Sequence, residues 1–254
     1  MPLSETEAIV LRTYRLAEAD KIVSLLTRHR GRLRAVASGA QRPKSRFGGT
    51  LEPLTYCRLW LYERENRDLA RLNSTDLLES FFAMQSDYRL QIASQYVAEV
   101  SEALLPEREV NEPAFRLLLS VLRGMKRSRE ADRPLLYFNY WMLRLGGFLP
   151  ELDRCSQCGN SLAGGPGSYR PWAPGLFCQN CAADSSGRKL SAATLGFVAG
   201  IKGSSLETWM VAGAPPESVV EARRFFEGLL ELHSEHRFHT RELLANARSS
   251  DALT

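Results

Sequence analysis

No stretch of this 254-residue sequence approaches the roughly 20 apolar residues of a membrane span. The opening, MPLSETEAIVL, has neither a basic segment nor an unbroken apolar one, so no secretory leader is expected. A cytoplasmic location follows as the default. Also missing are G-x-x-x-x-G-K-[ST], G-x-S-x-G and H-E-x-x-H, the signatures of phosphate-cradling loops, nucleophile elbows and zinc peptidases. No carboxylate cluster suggests the two-metal site of a nuclease. There is no internal repeat and no low-complexity segment. The chain is expected to work by binding, not by catalysis.

One further absence is local. Between Lys21 and Leu51 there is no Asp or Glu, against eight basic side chains: Lys21, Arg28, Arg30, Arg32, Arg34, Arg42, Lys44 and Arg46. The net charge of +4 is concentrated accordingly. Residues 1–80 hold 14 Lys and Arg against 10 Asp and Glu, whereas the remainder holds 19 of each. Local focusing of one sign recruits a polyanion more than total charge does. A merely solvated face normally mixes signs.

The first 80 residues read as five strands at short spacing: TEAIVLRTYRL, DKIVSLLT, RGRLRAVAS, EPLTYCRLWLY and RDLARLNSTDLL. That pattern suggests a small barrel or sandwich, and five strands in so few residues fit an OB-like barrel. In an extended third strand Arg28, Arg30, Arg32 and Arg34 share one face, with Leu33, Ala35 and Ala37 pointing inward. A turn at Gly31 limits this firmly to Arg32 and Arg34. The segment SGAQRPKSRFGG is too rich in Gly and Pro for a regular element. It is expected to be a mobile loop displaying Arg42, Lys44 and Arg46, with an exposed Phe47 for base stacking. The competing reading is an edge strand kept soluble by arginine.

From about Asp76 the periodicity turns helical. Tyr88, Ile92, Tyr96, Val100 and Leu104 recur every four residues. EPAFRLLLSVLRGMKRS and PLLYFNYWMLRLGGF follow as helices, the latter rich in aromatics that at helical spacing belong to a core. SAATLGFVAGIKG and PESVVEARRFFEGLLELHSEHRF are two more, and the polar tail ANARSSDALT is expected to fray. His233, His236 and His239 at intervals of three read as a solvated helix end.

Four of the five cysteines form Cys155-x2-Cys158 and Cys178-x2-Cys181, separated by 19 residues. Two matched C-x-x-C pairs fit a structural four-thiolate zinc site, pinning an insert too poor in apolar residues to fold alone. Four protein ligands leave no open position for catalysis. A nucleobase deaminase would place Pro before its second pair, where this chain has Phe177. Cys57, in an apolar strand pattern, reads as a small core residue.

The opening EAIVLRTYRLAEADKIVSLLTRHRGRLRAVASGAQRPKSRFGGTLEPL and the run FNYWMLRLGGFLPELDRCSQCG together resemble the bacterial RecO family of recombination mediators. The resemblance implies an α+β, multidomain protein: an N-terminal OB-fold β-barrel at 1–79, an α-helical domain at 80–150 and 188–248, and an inserted four-cysteine zinc module at 151–187. It implies a non-enzymatic, nucleoid-associated mediator that binds single- and double-stranded DNA and anneals complementary strands. Its implied partners are RecR, with which it would assist RecA loading on DNA coated by the single-stranded DNA-binding protein, and the acidic tail of that protein, with RecF and RecA engaged indirectly. Carried onto this sequence, the DNA surface would fall on Arg32, Arg34, Arg42, Lys44 and Arg46; with Arg28, Arg30 and Phe47 these make eight residues assigned to it. An OB-fold and zinc RNA-binding protein, or a protein-interaction scaffold, are the alternatives the residues leave open.

Overall fold

The computed structural model describes residues 3–63, 68–170, 173–182, 187–213 and 215–251. They form two compact units, 1–122 with 243–254, and 123–242, so the division falls inside a helix.

The first unit is built on five strands, β1 (Leu3–Arg15), β2 (Lys21–Thr27), β3 (Gly31–Ala37), β4 (Tyr56–Tyr62) and β5 (Leu69–Glu79). Each coincides with a stretch of alternating or β-branched sequence. β1 pairs antiparallel with β2 through its second half and with β4 through its first half. A register shift between Val10 and Arg12 marks the bend that lets one strand serve both neighbours. β2 pairs with β3, and β4 with β5. A short parallel pairing of Arg34–Val36 with Leu69–Arg71 completes the ring in the order β1-β2-β3-β5-β4, a closed barrel. Its interior holds Ala8, Val10, Val23, Leu25, Leu33, Ala35, Ala37, Leu59, Leu61 and Leu72, with Cys57 among them as the pattern predicts. Burial pushes the Cys57 thiol up to about 12, so it stays an uncharged core group.

Phe47 corrects an expectation. The ring is only 1% exposed and belongs to the barrel core with Leu51. The segment after β3 makes successive turns that end in a 3-10 turn at Gly48–Leu51, and these fold Phe47 and Leu51 onto one end of the barrel. An apolar ring beside open apolar interior gains more from burial than from display.

β5 runs to Glu79, past the point where the periodicity turns helical, and α1 (Tyr88–Leu104) starts only after a 3-10 turn at Phe82–Ser86. Asp87 caps α1 by accepting from the amides of Arg89 and Leu90, both at 3.1 Å. α1 packs on β1. α2 (Glu112–Ser128) is opened by Asn111, whose side chain accepts from the Ala114 amide at 3.0 Å.

The second unit centres on α3 (Asp132–Leu145) packed against a long helix at Pro216–Ser234. Tyr137, Phe138 and Tyr140 of α3 are core, as their spacing predicts, while Trp141 is half-buried: Tyr140 meets Phe226 edge-on at 5.8 Å, and Tyr137 lies against Trp209 at 6.0 Å. Three short strands, β6 (Gly167–Arg170), β7 (Ala173–Phe177) and β8 (Arg188–Leu190), form a sheet in the order β7-β6-β8. Then come α4 (Ala192–Ala199), α5 (Leu206–Met210), α6 (Pro216–Ser234) and α7 (His239–Asp251). The tail expected to fray is helical as far as Asp251. Among the described residues no helix is long and apolar enough to cross a membrane.

Candidate nucleic-acid interface and metal centre

The β3 arginines follow the predicted alternation, with Leu33, Ala35 and Ala37 buried and Arg32 and Arg34 on the outer face. Their charge, and that of Arg28 and Arg30 in the turn before β3, is met by carboxylates remote in sequence. Arg28 donates to Glu7 Oε2 at 2.9 Å and through two nitrogens to Glu112 Oε1 at 3.3 Å. Arg30 pairs with Glu63. Glu107 Oε1 takes both Arg32, at 3.2 Å, and Arg34, at 3.0 Å. Arg32 also donates from Nε to the Leu105 carbonyl at 2.8 Å. The Arg28–Arg34 part of the carboxylate-free run is therefore compensated in three dimensions by Glu7 of β1, by Glu63 just after β4, by Glu107 in the α1–α2 connection and by Glu112 at the start of α2.

That connection is fastened to β3 by backbone as well. The Arg108 amide donates to the Arg32 carbonyl at 2.7 Å. Gly31 has φ +67, and a Cβ there would lie 2.1 Å from the Glu109 carbonyl oxygen, so only glycine permits the approach. Burial alone would raise the Glu7 pKa, but the Tyr56 hydroxyl at 2.7 Å and the Arg28 guanidinium outweigh it and hold the carboxyl below its ordinary value.

The loop after β3 differs. Arg42, Lys44 and Arg46 are exposed, and none has an ion-pair partner among the described residues. The Arg46 guanidinium lies 4.9 Å from the centre of the Phe47 ring, so its outer edge stays available to an anion. Of the eight residues that sequence assigns to a nucleic-acid surface, three are free cations on one loop, four are held by carboxylates and one is core.

The four cysteines converge. Their Sγ atoms all lie within 4.8 Å of one another, and Cys158 and Cys178 are 3.7 Å apart. A tetrahedron with metal–sulfur bonds of ~2.3 Å has edges of about 3.8 Å, so the arrangement can bind a metal ion. Two knuckles build it. In the first, the Gly159 amide donates to the Cys155 carbonyl at 2.9 Å, with Gly159 at φ +72. In the second, the Cys181 and Ala182 amides both donate to the Cys178 carbonyl. The Ser156 amide donates to Leu176 on β7 at 2.7 Å and ties the two together. Sequence missed this sheet because its strands are short and interrupted by Gly and Pro.

The thiols are strongly coupled to one another. Burial pushes Cys155 up, but backbone hydrogen bonds from Cys178, Cys158 and Gln157 outweigh it and bring the thiol down to about 6. Cys181, crowded by the sulfurs of Cys158 and Cys178, is pushed up to about 12. Crowding of the sulfurs disfavours ionising all four together, and a cation placed among them would favour the thiolate forms. The histidines do not compete: His233 stacks on Phe148 at 4.5 Å, and His236 lies edge-on to Phe238. Among the described residues only the cysteines form such a cluster.

A mixed five-stranded sheet and helices, with exposed cations on one loop, define an α+β protein with a four-cysteine cluster that could hold a metal ion. Comparison with known families gives the particular group. The family description "Recombination protein O N terminal" matches residues 1–81, and "Recombination protein O C terminal" matches residues 85–242. The chain belongs to the RecO family of DNA repair proteins. It is 40% identical over 246 residues to the DNA repair protein RecO of Koribacter versatilis, covering 95% of this chain and 98% of that protein. It is 30% identical to the RecO proteins of Anaeromyxobacter dehalogenans strain 2CP-1, covering 96% of each chain, and of Symbiobacterium thermophilum, covering 98% and 100%.

Proposed function

We propose that this protein is a recombination mediator in DNA repair that acts by binding DNA and has no catalytic step. The observation that carries this reading is the exposed loop with Arg42, Lys44 and Arg46 free of carboxylates, in a chain of the RecO family. The strand order and the parallel β3–β5 closure support taking the barrel as an OB-fold, a frame that holds oligonucleotides across strands 2 and 3 and adjoining loops. The loop cations would take backbone phosphates of single- and double-stranded DNA. Arg28, Arg30, Arg32 and Arg34 would join only where a polyanion displaces their carboxylates.

Annealing then needs no nucleotide hydrolysis. A basic surface that neutralises phosphates on two strands lowers their repulsion, and base pairing supplies the driving force. With about 3–5 phosphate contacts, the log–log salt slope on single strands should be near −2 to −4. RecR and the acidic tail of the single-stranded DNA-binding protein are the partners in this reading, with RecF and RecA engaged indirectly. Zinc is the metal assigned to Cys155, Cys158, Cys178 and Cys181, in a structural role: four thiolates suit it and leave no open coordination position.

The test compares the protein with its Arg42→Ala, Lys44→Ala, Arg46→Ala variant by anisotropy of a labelled 30-mer across salt, with annealing of complementary strands followed in parallel. A folded variant with a shallower slope and slower annealing supports the reading. Unchanged binding and annealing would remove the loop from the interface. Tighter binding to RNA of the same sequence would move the protein to RNA metabolism.

A further inference from the structure

The loop cations explain grip on phosphate but provide no ring for a base, since Phe47 is buried. A cleft of about 410 Å³ lies nearby, between the end of β1, the start of β2 and the loop after β3, lined by Tyr14, Arg15, Lys21 and Gln41 with Thr13 and Ala40. Its walls are fixed. The Gln41 amide donates to Ala19 O at 2.9 Å, the Gln41 side chain donates to Ala17 O and Asp20 O, and the Gly39 amide donates to Asp20 Oδ1 at 2.8 Å. The β1–β2 turn and the start of the basic loop are thus tied together through Gly39 and Gln41. Asp20 is engaged in that bracing.

Three features of the cleft fit a single strand passing over the end of β1. Tyr14 is 43% exposed, so a large part of its ring is open to a base. Arg15 and Lys21 are directly opposite each other in the β1–β2 register. Like charges so placed repel, and an anion between them relieves the repulsion. Arg15 has no ion-pair partner among the described residues, and Lys21 reaches only Glu52, at 3.9 Å. Finally, Arg42 follows Gln41 directly, so the next phosphate along the strand meets the free cations of the loop. Phe82 is more exposed than Tyr14, but the cleft it lines contains Glu52 and no cation.

We infer that this cleft is a subsite for single-stranded DNA passing over the end of β1, with a base stacked on Tyr14 and a neighbouring phosphate of the strand held by Arg15 and Lys21, which strand alternation places on the other face. The assignment rests on the DNA-binding reading above and adds to it a preference for unpaired bases. A ring stacked in a duplex cannot also lie on Tyr14.

The experiment uses the full chain, a labelled 15-mer of oligothymidine and a duplex of equal length. Tyr14→Leu should weaken single-strand binding about 5- to 100-fold, the range for losing one stacked base, and change duplex binding less than about twofold. Tyr14→Phe, which keeps the ring, should bind like the parent. Oligonucleotides carrying 5-iodouracil should cross-link to Tyr14 on irradiation, as mapped by mass spectrometry. If the parent binds single strands and Tyr14→Leu binds them equally well, or if cross-links avoid Tyr14, the subsite is wrong while the DNA reading stands. If the parent binds no oligonucleotide at low salt, the DNA reading fails and takes the subsite with it.

Discussion

Glu107 offers a direct way to ask whether the β3 arginines are withheld from DNA. Its Oε1 atom accepts from Arg34 at 3.0 Å and from Arg32 at 3.2 Å, and all three side chains are partly open to solvent. Exposed pairs of this kind contribute about 0.2–1 kcal/mol each. Glu107→Gln keeps an acceptor oxygen while removing the charge, so the loss of stability should stay near 0.5–1.5 kcal/mol. Arg34 is then released fully, and Arg32 in part, because its Nε still donates to the Leu105 carbonyl. One to two additional phosphate contacts would steepen the single-strand salt slope by about 0.7–1.4. Anisotropy titrations of a labelled single strand at several salt concentrations measure the slope, and a thermal melt measures the stability. A variant that melts like the parent and keeps the same slope would show that DNA does not reach β3. A melt lowered by more than about 10 °C would show that Glu107 anchors the α1–α2 connection far more strongly than exposed ion pairs can.

Three further outcomes are expected. Phe47→Ala should cost about 3–5 kcal/mol in urea unfolding, because it empties part of the barrel core; a midpoint equal to the parent would mean that the ring is displayed after all. Gly175 has φ +105 and a Cβ there would lie 2.0 Å from Ser156 Oγ, so Gly175→Ala should separate the knuckles and lower metal content well below one ion per chain. Gly164→Ala, with φ +74 and open space around it, should retain the metal, and equal metal in both variants would dismiss the steric argument. The Glu7 and Glu221 carboxyls, both held below 4.5 in the folded protein, stabilise it above that pH and lose that contribution as pH falls through their lower folded values. Melting temperature should be level down to about pH 5 and then decline, and a decline that begins near neutrality would point to other groups.

The strands and the principal helices were legible because their signals are local. Alternation in GRLRAVA and YCRLWLY places every second side chain inside, and the four-residue recurrence from Tyr88 to Leu104 marks a buried stripe. The cysteine cluster was legible for the same reason, since each C-x-x-C fixes its own knuckle. What escaped was non-local. The absence of carboxylates between Lys21 and Leu51 gives no sign that Glu107 and Glu112 return to that face from the other side of α1. Phe47, flanked by Arg46 and Gly48, has no neighbours that announce a core position. α5, of only five residues, and the strands around the cysteines are too short for periodicity to reveal. The open ring at Tyr14 was hidden because exposure at a strand end depends on which neighbour stops pairing.

The ring closure of the barrel also dictates a schedule. Its final seam joins Arg34–Val36 to Leu69–Arg71, some 35 residues later, and rests on a short parallel pairing. The β1–β2–β3 meander can form as soon as it is synthesised, but it presents two unpaired margins until β4 zips onto β1 and β5 onto β4. Synthesis at about 5–20 residues per second leaves that sheet open for a few seconds on the ribosome. During that interval Arg32 and Arg34 on β3 and Arg30 in the turn before it, not yet met by Glu107 and Glu63, would repel the same edge of another nascent chain. The same side chains that fasten the finished unit would thus protect its unfinished edge.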